Sequence, residues 1–359
     1  MSKIMFNEIP KLKHIFPRSV NINSNKTFIY GPPQSGKTTL ALWYAQKFQY
    51  VFYVDFAMLF SKNLIESTQK ALHNIGQKLE LLIVDNITLD TIRYCNDMIV
   101  SCPCIYIGDI GACPSDFTPL SLLPLSFEEY LSIDSKNLSI EALLSNFIKD
   151  GNAIEMLLLP EYKKREYKWR SMQFSLKEEA NVLSHMLSLQ SLKTSTYGIY
   201  THLKQHIKIS KDRIYPLIQS LQANNIVHVC KHADTYGIDA GKKYKLYFYD
   251  FTLASEFADS KHFMRVYENM VFLELVSMGF SLQYSNYCDF IDKSQQMIFL
   301  CMPFAGVESI AKRIQLIRKK EREYSNYMIY VITMGSNHVF DTKAIGLDFA
   351  SLSPLLRLV

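Results

Sequence analysis

Eight residues, Gly31-Pro32-Pro33-Gln34-Ser35-Gly36-Lys37-Thr38, constrain this chain more than any others. They follow a short apolar run, Thr27-Phe28-Ile29-Tyr30, which reads as a strand, and they open a helical stretch from about Lys37 to Lys47. A glycine-bounded turn that ends in lysine and a hydroxyl at a helix start is the G-x-x-x-x-G-K-[ST] phosphate loop. Its glycines let the chain curl until successive backbone N–H groups converge, and the helix adds its positive end. The pattern predicts that Gly31 to Thr39 cradle the phosphates of a nucleoside triphosphate. Lys37 would bridge the β- and γ-phosphates, and the Thr38 hydroxyl would coordinate Mg²⁺.

The surrounding pattern agrees. Tyr50 to Asp55 reads as a second strand, and Leu81-Leu82-Ile83-Val84-Asp85 as a third. Unbroken apolar runs of this kind belong to parallel strands covered on both faces. Ile99-Val100 and Cys104 to Ile107 bracket a further strand that ends at Gly108-Asp109. Strands alternating with helices predict an α/β domain with a parallel sheet, running to about residue 150.

Asp85 ends the third strand, where a carboxylate would complete the Mg²⁺ site beside Thr38. The next residue is Asn86, at a position where a glutamate would orient the attacking water. An amide holds water but takes no proton from it at neutral pH. Slow turnover, or a substitute carboxylate at Asp55, Asp90 or Asp109, is therefore expected. Asp109 also stands where a γ-phosphate sensor would lie. No guanine-reading N-K-x-D element follows the loop, which leaves ATP as the expected nucleotide. Arg93 and Arg170 are candidates for an arginine finger.

Beyond residue 150 the character changes. Lys163, Lys164, Arg165, Lys168 and Arg170, interleaved with Tyr162, Tyr167 and Trp169, read as a solvated helix face in a linker over 151–170. Residues 171–257 contain helical segments at 176–189, 195–206 and 210–224, then strands at Ile226 to Val229 and Tyr244 to Tyr249. Three helices and a hairpin predict a winged helix-turn-helix. Ile214, Leu217, Ile218 and Leu221 form the buried face of the third helix. Pro216 would delay or kink that helix. Lys204, Lys208, Lys211 and Arg213, with Lys242, Lys243 and Lys245 near the wing, could neutralise phosphates of double-stranded DNA. The alternative use of such a module is docking to a protein partner. Residues 258–359 again read as α/β.

The net charge of +5 is too small to prove a nucleic-acid partner. Seven scattered cysteines, with only Cys102-Pro103-Cys104 clustered, read as reduced thiols of a cytoplasmic protein. No uncharged run reaches the roughly 18 apolar residues of a membrane helix, and without an uninterrupted apolar segment behind a basic start no secretory signal is expected.

Together these motifs resemble a family of prokaryotic AAA-type ATPases that carry a C-terminal domain related to PD-(D/E)XK nucleases. The resemblance spans nearly the whole chain. It rests on Gly31 to Thr39, the strand ending in Asp85, and Leu123-Pro124-Leu125-Ser126-Phe127-Glu128-Glu129-Tyr130-Leu131. It rests also on Lys243-Tyr244-Lys245-Leu246-Tyr247-Phe248-Tyr249-Asp250 and Tyr267-Glu268-Asn269-Met270-Val271. It implies an ATPase domain over 1–150, a winged helix over 171–257 and a nuclease-like domain over 258–359. Glu268 and Asp289 match two acidic positions of the nuclease scaffold. Met297-Ile298-Phe299-Leu300-Cys301-Met302, however, lacks the Glu-x-Lys that a metal site needs. The expected activity is therefore Mg²⁺-dependent ATP hydrolysis in Lys37, Asp85 and Asn86, with no nuclease chemistry. The alternative is a nucleotide-gated scaffold that hydrolyses little.

Overall fold

The computed structural model describes residues 16, 18–59, 61–75, 78–95, 98, 101–134, 136–233, 243–258, 262–335 and 337–352. The chain forms two compact units: Met1–Pro124 with Ala223–Ile226, and Leu125–Gln222 with Val227–Val359. Among the described residues no helix is long and apolar enough to cross a membrane, and all seven cysteines are free thiols.

The first unit is built on five parallel strands: β1 (Lys26–Tyr30), β2 (Val51–Asp55), β3 (Leu81–Ile87), β4 (Cys104–Gly108) and β5 (Thr118–Ser121). They lie in the order β2-β3-β4-β1-β5. Helices α1 (Lys37–Ala45), α2 (Lys62–Ile75) and α3 (Ile92–Cys95) belong to the same unit. Strand alternation explains why β3 is apolar from Leu81 to Val84. Leu81 and Ile83 pack with Leu40, Ala41 and Ala45 of α1, while Leu82 and Val84 pack with Ile65 and Leu72 of α2. Each such fully buried side chain contributes about 1.5–3 kcal/mol relative to exposure. The edge strand β5 includes Pro119, a residue that edges tolerate because they need fewer ladder donors.

β3 does not stop at Asp85. It continues to Ile87, with Asn86 in the left-handed region (φ 58°) and a register shift against β4 between Val84 and Ile87. The Ile99-Val100 part of the expected fourth strand lies outside the described residues.

The second unit carries α4 (Phe127–Ser132), α5 (Ile140–Asp150), α6 (Glu161–Leu176), α7 (Glu178–Met186), α8 (Thr196–Lys204) and α9 (Lys211–Ala223). The strands β6 (Lys193–Thr194), β7 (Val227–His232) and β8 (Tyr244–Phe248) are followed by α10 (Leu253–Phe257) and α11 (Phe263–Ser277). Strands β9 (Gln283–Tyr284), β10 (Phe290–Asp292) and β11 (Met297–Cys301) precede α12 (Val307–Lys320). Strands β12 (Met328–Thr333), β13 (His338–Asp341) and β14 (Ala344–Asp348) complete it. One sheet, β13-β14-β12-β11-β10-β9-β7-β8-β6, joins all nine strands. Pairing of Lys231 with Gln283 and His232 with Tyr284 carries it across the boundary drawn from sequence at 257/258.

Two local features differ from expectation for clear reasons. α9 runs from Lys211 straight through Pro216, so its start is not delayed; Ile214, Leu217, Ile218 and Leu221 bury its other face and hold it. The basic stretch on α6 is not a uniformly solvated face. Lys168 is 1% exposed and its ammonium binds Glu256 (2.7 Å), Asp250 (3.1 Å) and the Thr252 hydroxyl. Lys164 pairs with Asp150 at 2.6 Å. Leu125-Ser126-Phe127 opens α4 through a capping box, with Ser126 and Glu129 satisfying each other's backbone N–H. The wing residues Gly237, Asp239, Gly241 and Lys242 lie outside the described residues.

Candidate active site

The phosphate loop joins β1 to α1. Gly31 stands at φ 146°, and a Cβ there would meet the Leu122 carbonyl oxygen at 2.2 Å. Only glycine fits so close to the segment that follows β5, whose Leu122 N–H bonds Tyr30 O at 2.8 Å. Pro32, Pro33 and Ser35 are buried, and Gln34 (φ 62°) and Gly36 (φ 84°) turn the chain into the helix. Arg18 braces this turn, donating to Ser35 O and Leu123 O at 2.6 Å each. Nothing in the sequence marks Arg18, because no motif reaches so far upstream. Ser35 Oγ and Gln34 Nε2 are buried without a hydrogen-bond partner among the described residues. Such orphans in a polar loop are what a ligand rich in acceptors and donors would satisfy.

α1 begins with no side-chain cap and no acidic residue in its first turn. Its N-terminal dipole is therefore not compensated from within its own first turn. Lys37 Nζ donates to Gly31 O (2.9 Å) and Pro32 O (2.7 Å), which folds the ammonium back over the loop. Thr38 Oγ1 donates to Asp85 Oδ2 at 2.7 Å. Thr39 follows, half-buried, in the same turn.

Asp85 is the focus of this site. Its Oδ2 also accepts from the Tyr53 hydroxyl (3.0 Å), and its Oδ1 from Asn86 N–H (2.8 Å). Burial pushes the Asp85 carboxyl above the ordinary carboxylate range, more than these three bonds pull it back. Tyr53 is raised by burial and by the carboxylates of Asp85 and Asp55.

Asp55 lies opposite Asp85 in the β2–β3 register. Its Oδ1 accepts from Asn86 Nδ2 at 2.7 Å and from Ala57 N–H at 2.9 Å. Asn86 is thus committed to Asp55, and its left-handed backbone is one that asparagine adopts more readily than most residues. Asp109 is otherwise engaged: its Oδ1 accepts from Gly111 N–H and Asn224 Nδ2, both at 2.9 Å. Asp90 lies exposed in the turn after β3. Arg93 Nη2 donates to the Tyr94 hydroxyl, and Arg170 pairs with Glu166 on the exposed face of α6. Within the first unit the structure therefore gathers Lys37, Thr38, Asp85, Asn86 and Asp55.

The residues fit Mg²⁺ held by a hydroxyl and one carboxylate, with the remaining ligands supplied by phosphate and water. In the second unit the two other acidic candidates are separately engaged. Glu268 Oε1 accepts from Lys245 Nζ (2.8 Å) and the Tyr247 hydroxyl (2.6 Å), and Asp289 Oδ2 from Cys301 N–H (2.9 Å). β11 is wholly buried and brings no charged side chain to them. Among the described residues no group of three or more His, Cys, Asp or Glu side chains could hold a metal ion.

No protein-family model matches the chain, and no curated protein matches its sequence. Among solved structures it is similar to a Walker-type ATPase of Pyrococcus abyssi, at 14% identity and a TM-score of 0.41, over 66% of this chain and 91% of that one. It is also similar to a chain in the structure of Drosophila ORC bound to AT-rich DNA and Cdc6. There the identity is 11% and the TM-score 0.19, over 65% of this chain and 84% of that one. At such values the chemistry has to be read from this chain's own residues.

Proposed function

We propose that this chain binds ATP with Mg²⁺ in the Gly31–Thr39 loop and hydrolyses it. The observation that carries the reading is the Thr38–Asp85 hydrogen bond beside a glycine-hinged loop and an uncapped helix start. Thr38 and Asp85 would hold Mg²⁺, which when bound neutralises charge on the phosphate oxygens. Lys37 exchanges the Gly31 and Pro32 carbonyls for β- and γ-phosphate oxygens. Backbone N–H groups of Gly31 to Thr39 and the start of α1 bind the remaining phosphate charge.

Asp55 takes the role that glutamate would have at position 86. As the water oxygen bonds to the γ-phosphorus and the β–γ bridge breaks, Asp55 accepts the water proton, leaving ADP and phosphate. Asn86 aims that carboxylate through its 2.7 Å bond and holds the water with its amide oxygen. The Asn86 amide also favours a second reading, a nucleotide-gated scaffold that binds ATP tightly and turns over little. Steady-state phosphate release by wild type and Lys37→Ala, with ATP binding measured on the same samples, separates the two. Mg²⁺-dependent release lost in the variant supports hydrolysis. Tight binding with no release overturns it in favour of the scaffold.

We read α7, α8 and α9 with the β7–β8 hairpin as a winged helix that takes nucleic acid, with a docked protein as the competing occupant. The terminal strands are read as a nuclease-like scaffold without nuclease chemistry, supported by the commitment of Glu268 to Lys245 and Tyr247. Seven unpaired thiols fit a cytoplasmic setting.

A further inference from the structure

A cleft of about 570 Å³ opens in the second unit between the start of α8, the outer face of α9 and the β7–β8 hairpin. That volume lies in the range of ligand pockets, roughly 300–1,000 Å³. Its lining combines three kinds of group. Tyr197 and Tyr215 stand at it more than 60% exposed, with rings of the size that stacks on a base. Gln219 and Gln222 on α9 present amides that both donate and accept. Lys231 on β7 and Lys243 just before β8, both exposed, supply positive charge. Lys211 adds a third ammonium, 5.7 Å from the centre of the Tyr197 ring.

A helix that reads duplex DNA in the major groove presents small, hydrogen-bonding and cationic side chains to base edges and phosphates. The outward face of α9 carries groups of that kind in Lys211, Arg213, Gln219 and Gln222, and adds Asp212, Tyr215 and Pro216, which are not. Its bulky ring and rigid proline suit a base already out of its stack. Exposed rings beside amides and ammonium groups are the means by which proteins hold unpaired bases: rings stack, amides meet Watson–Crick edges, and lysines follow the phosphates.

We infer that this cleft binds single-stranded nucleic acid, stacking unpaired bases on Tyr197 and Tyr215 with their phosphates along Lys231 and Lys243. The inference deepens the nucleic-acid part of the function proposed above and is independent of the phosphate loop.

The test uses the full chain and a fluorescein-labelled 20-nucleotide strand, followed by anisotropy as DNA, as RNA and as the annealed DNA duplex. One of the single strands should bind at least about tenfold more tightly than the duplex, and the tighter of the two identifies the natural class. Tyr197→Ala with Tyr215→Ala should weaken it by about tenfold or more, since each stacked base contributes substantially, while leaving the salt dependence as it was. Lys231→Gln with Lys243→Gln should instead flatten the dependence of log affinity on log salt by about 1.4, the value for two single-strand phosphates. All four positions are exposed, and ATP binding by the same samples reports that the chain is folded. Tighter binding of the duplex, no binding of any probe, or an affinity indifferent to both tyrosines overturns the inference. Loss of ATP binding in wild type would instead defeat the phosphate-loop reading and leave this one standing.

Discussion

Asp85, buried, and Glu268, half-buried, are both carboxylates that accept a tyrosine hydroxyl, yet their company differs. Every donor to Asp85 is neutral: the Thr38 hydroxyl, the Tyr53 hydroxyl and the Asn86 N–H. Glu268 instead has the Lys245 ammonium at 2.8 Å. Burial raises both carboxyls, but among the described residues a cation is hydrogen-bonded to Glu268 and only neutral donors to Asp85. A buried anion that is hydrogen-bonded but not neutralised calls for a cation from outside. On the function proposed above, a carboxylate takes a metal in one unit and forms a structural pair in the other. What decides is whether the chain has already supplied the positive charge.

The sharpest way to break this comparison is through activity. Asp55→Asn should lower kcat for ATP hydrolysis by about 10²–10⁴-fold, the usual worth of a general base, with ATP affinity little changed. Glu268→Gln should leave kcat unaltered. Equal losses in both would dissolve the distinction.

Stability should show the reverse order. Lys245→Met leaves the Glu268 charge buried and unpaired, and should cost about 3–5 kcal/mol in urea unfolding at pH 7. Because the Glu268 carboxyl is already raised, this cost should shrink as the pH falls and Glu268 takes a proton. A cost unchanged between neutral and acid pH would count against the pairing.

A smaller effect separates the two carboxylates further. The folded-state pKa of Asp85 lies above its unfolded value, so its charged form weakens the fold above that pKa, and the penalty disappears as pH falls through it. Asp85→Asn should therefore leave the thermal midpoint without nucleotide equal to or above wild type at pH 7, with the gap closing in acid. The same variant should lose the stabilisation that Mg²⁺ and ATP give wild type. A clear drop in the midpoint without ligand would mean that Asp85 is a structural residue. Smallest of all, Asn86→Ala removes one hydrogen bond to Asp55 and should slow turnover by about tenfold, close to the worth of a charged hydrogen bond.

The parts of this arrangement that were legible in the sequence are those fixed by local rules. The phosphate loop announces itself because glycine, lysine and threonine must occur at set spacing, and β3 because both its faces are covered. β5 was not visible, since four residues with Pro119 inside carry no strand pattern. Arg18, Tyr53 and Lys245 were beyond reach as partners: each acts on a residue distant in the chain, and only the fold brings them together. Lys168 misled for the same reason, its basic neighbours suggesting solvent while Asp250 and Glu256 wait more than eighty residues later.

One measurement goes most directly to the claim that Asp85, and not Glu268, is the metal carboxylate. Mn²⁺ binding in the presence of ATP can be titrated by electron paramagnetic resonance on wild type, Asp85→Asn and Glu268→Gln. One ATP-dependent Mn²⁺ per chain should appear in wild type and in Glu268→Gln and vanish in Asp85→Asn. An ion that survives Asp85→Asn and is lost in Glu268→Gln would reverse the assignment.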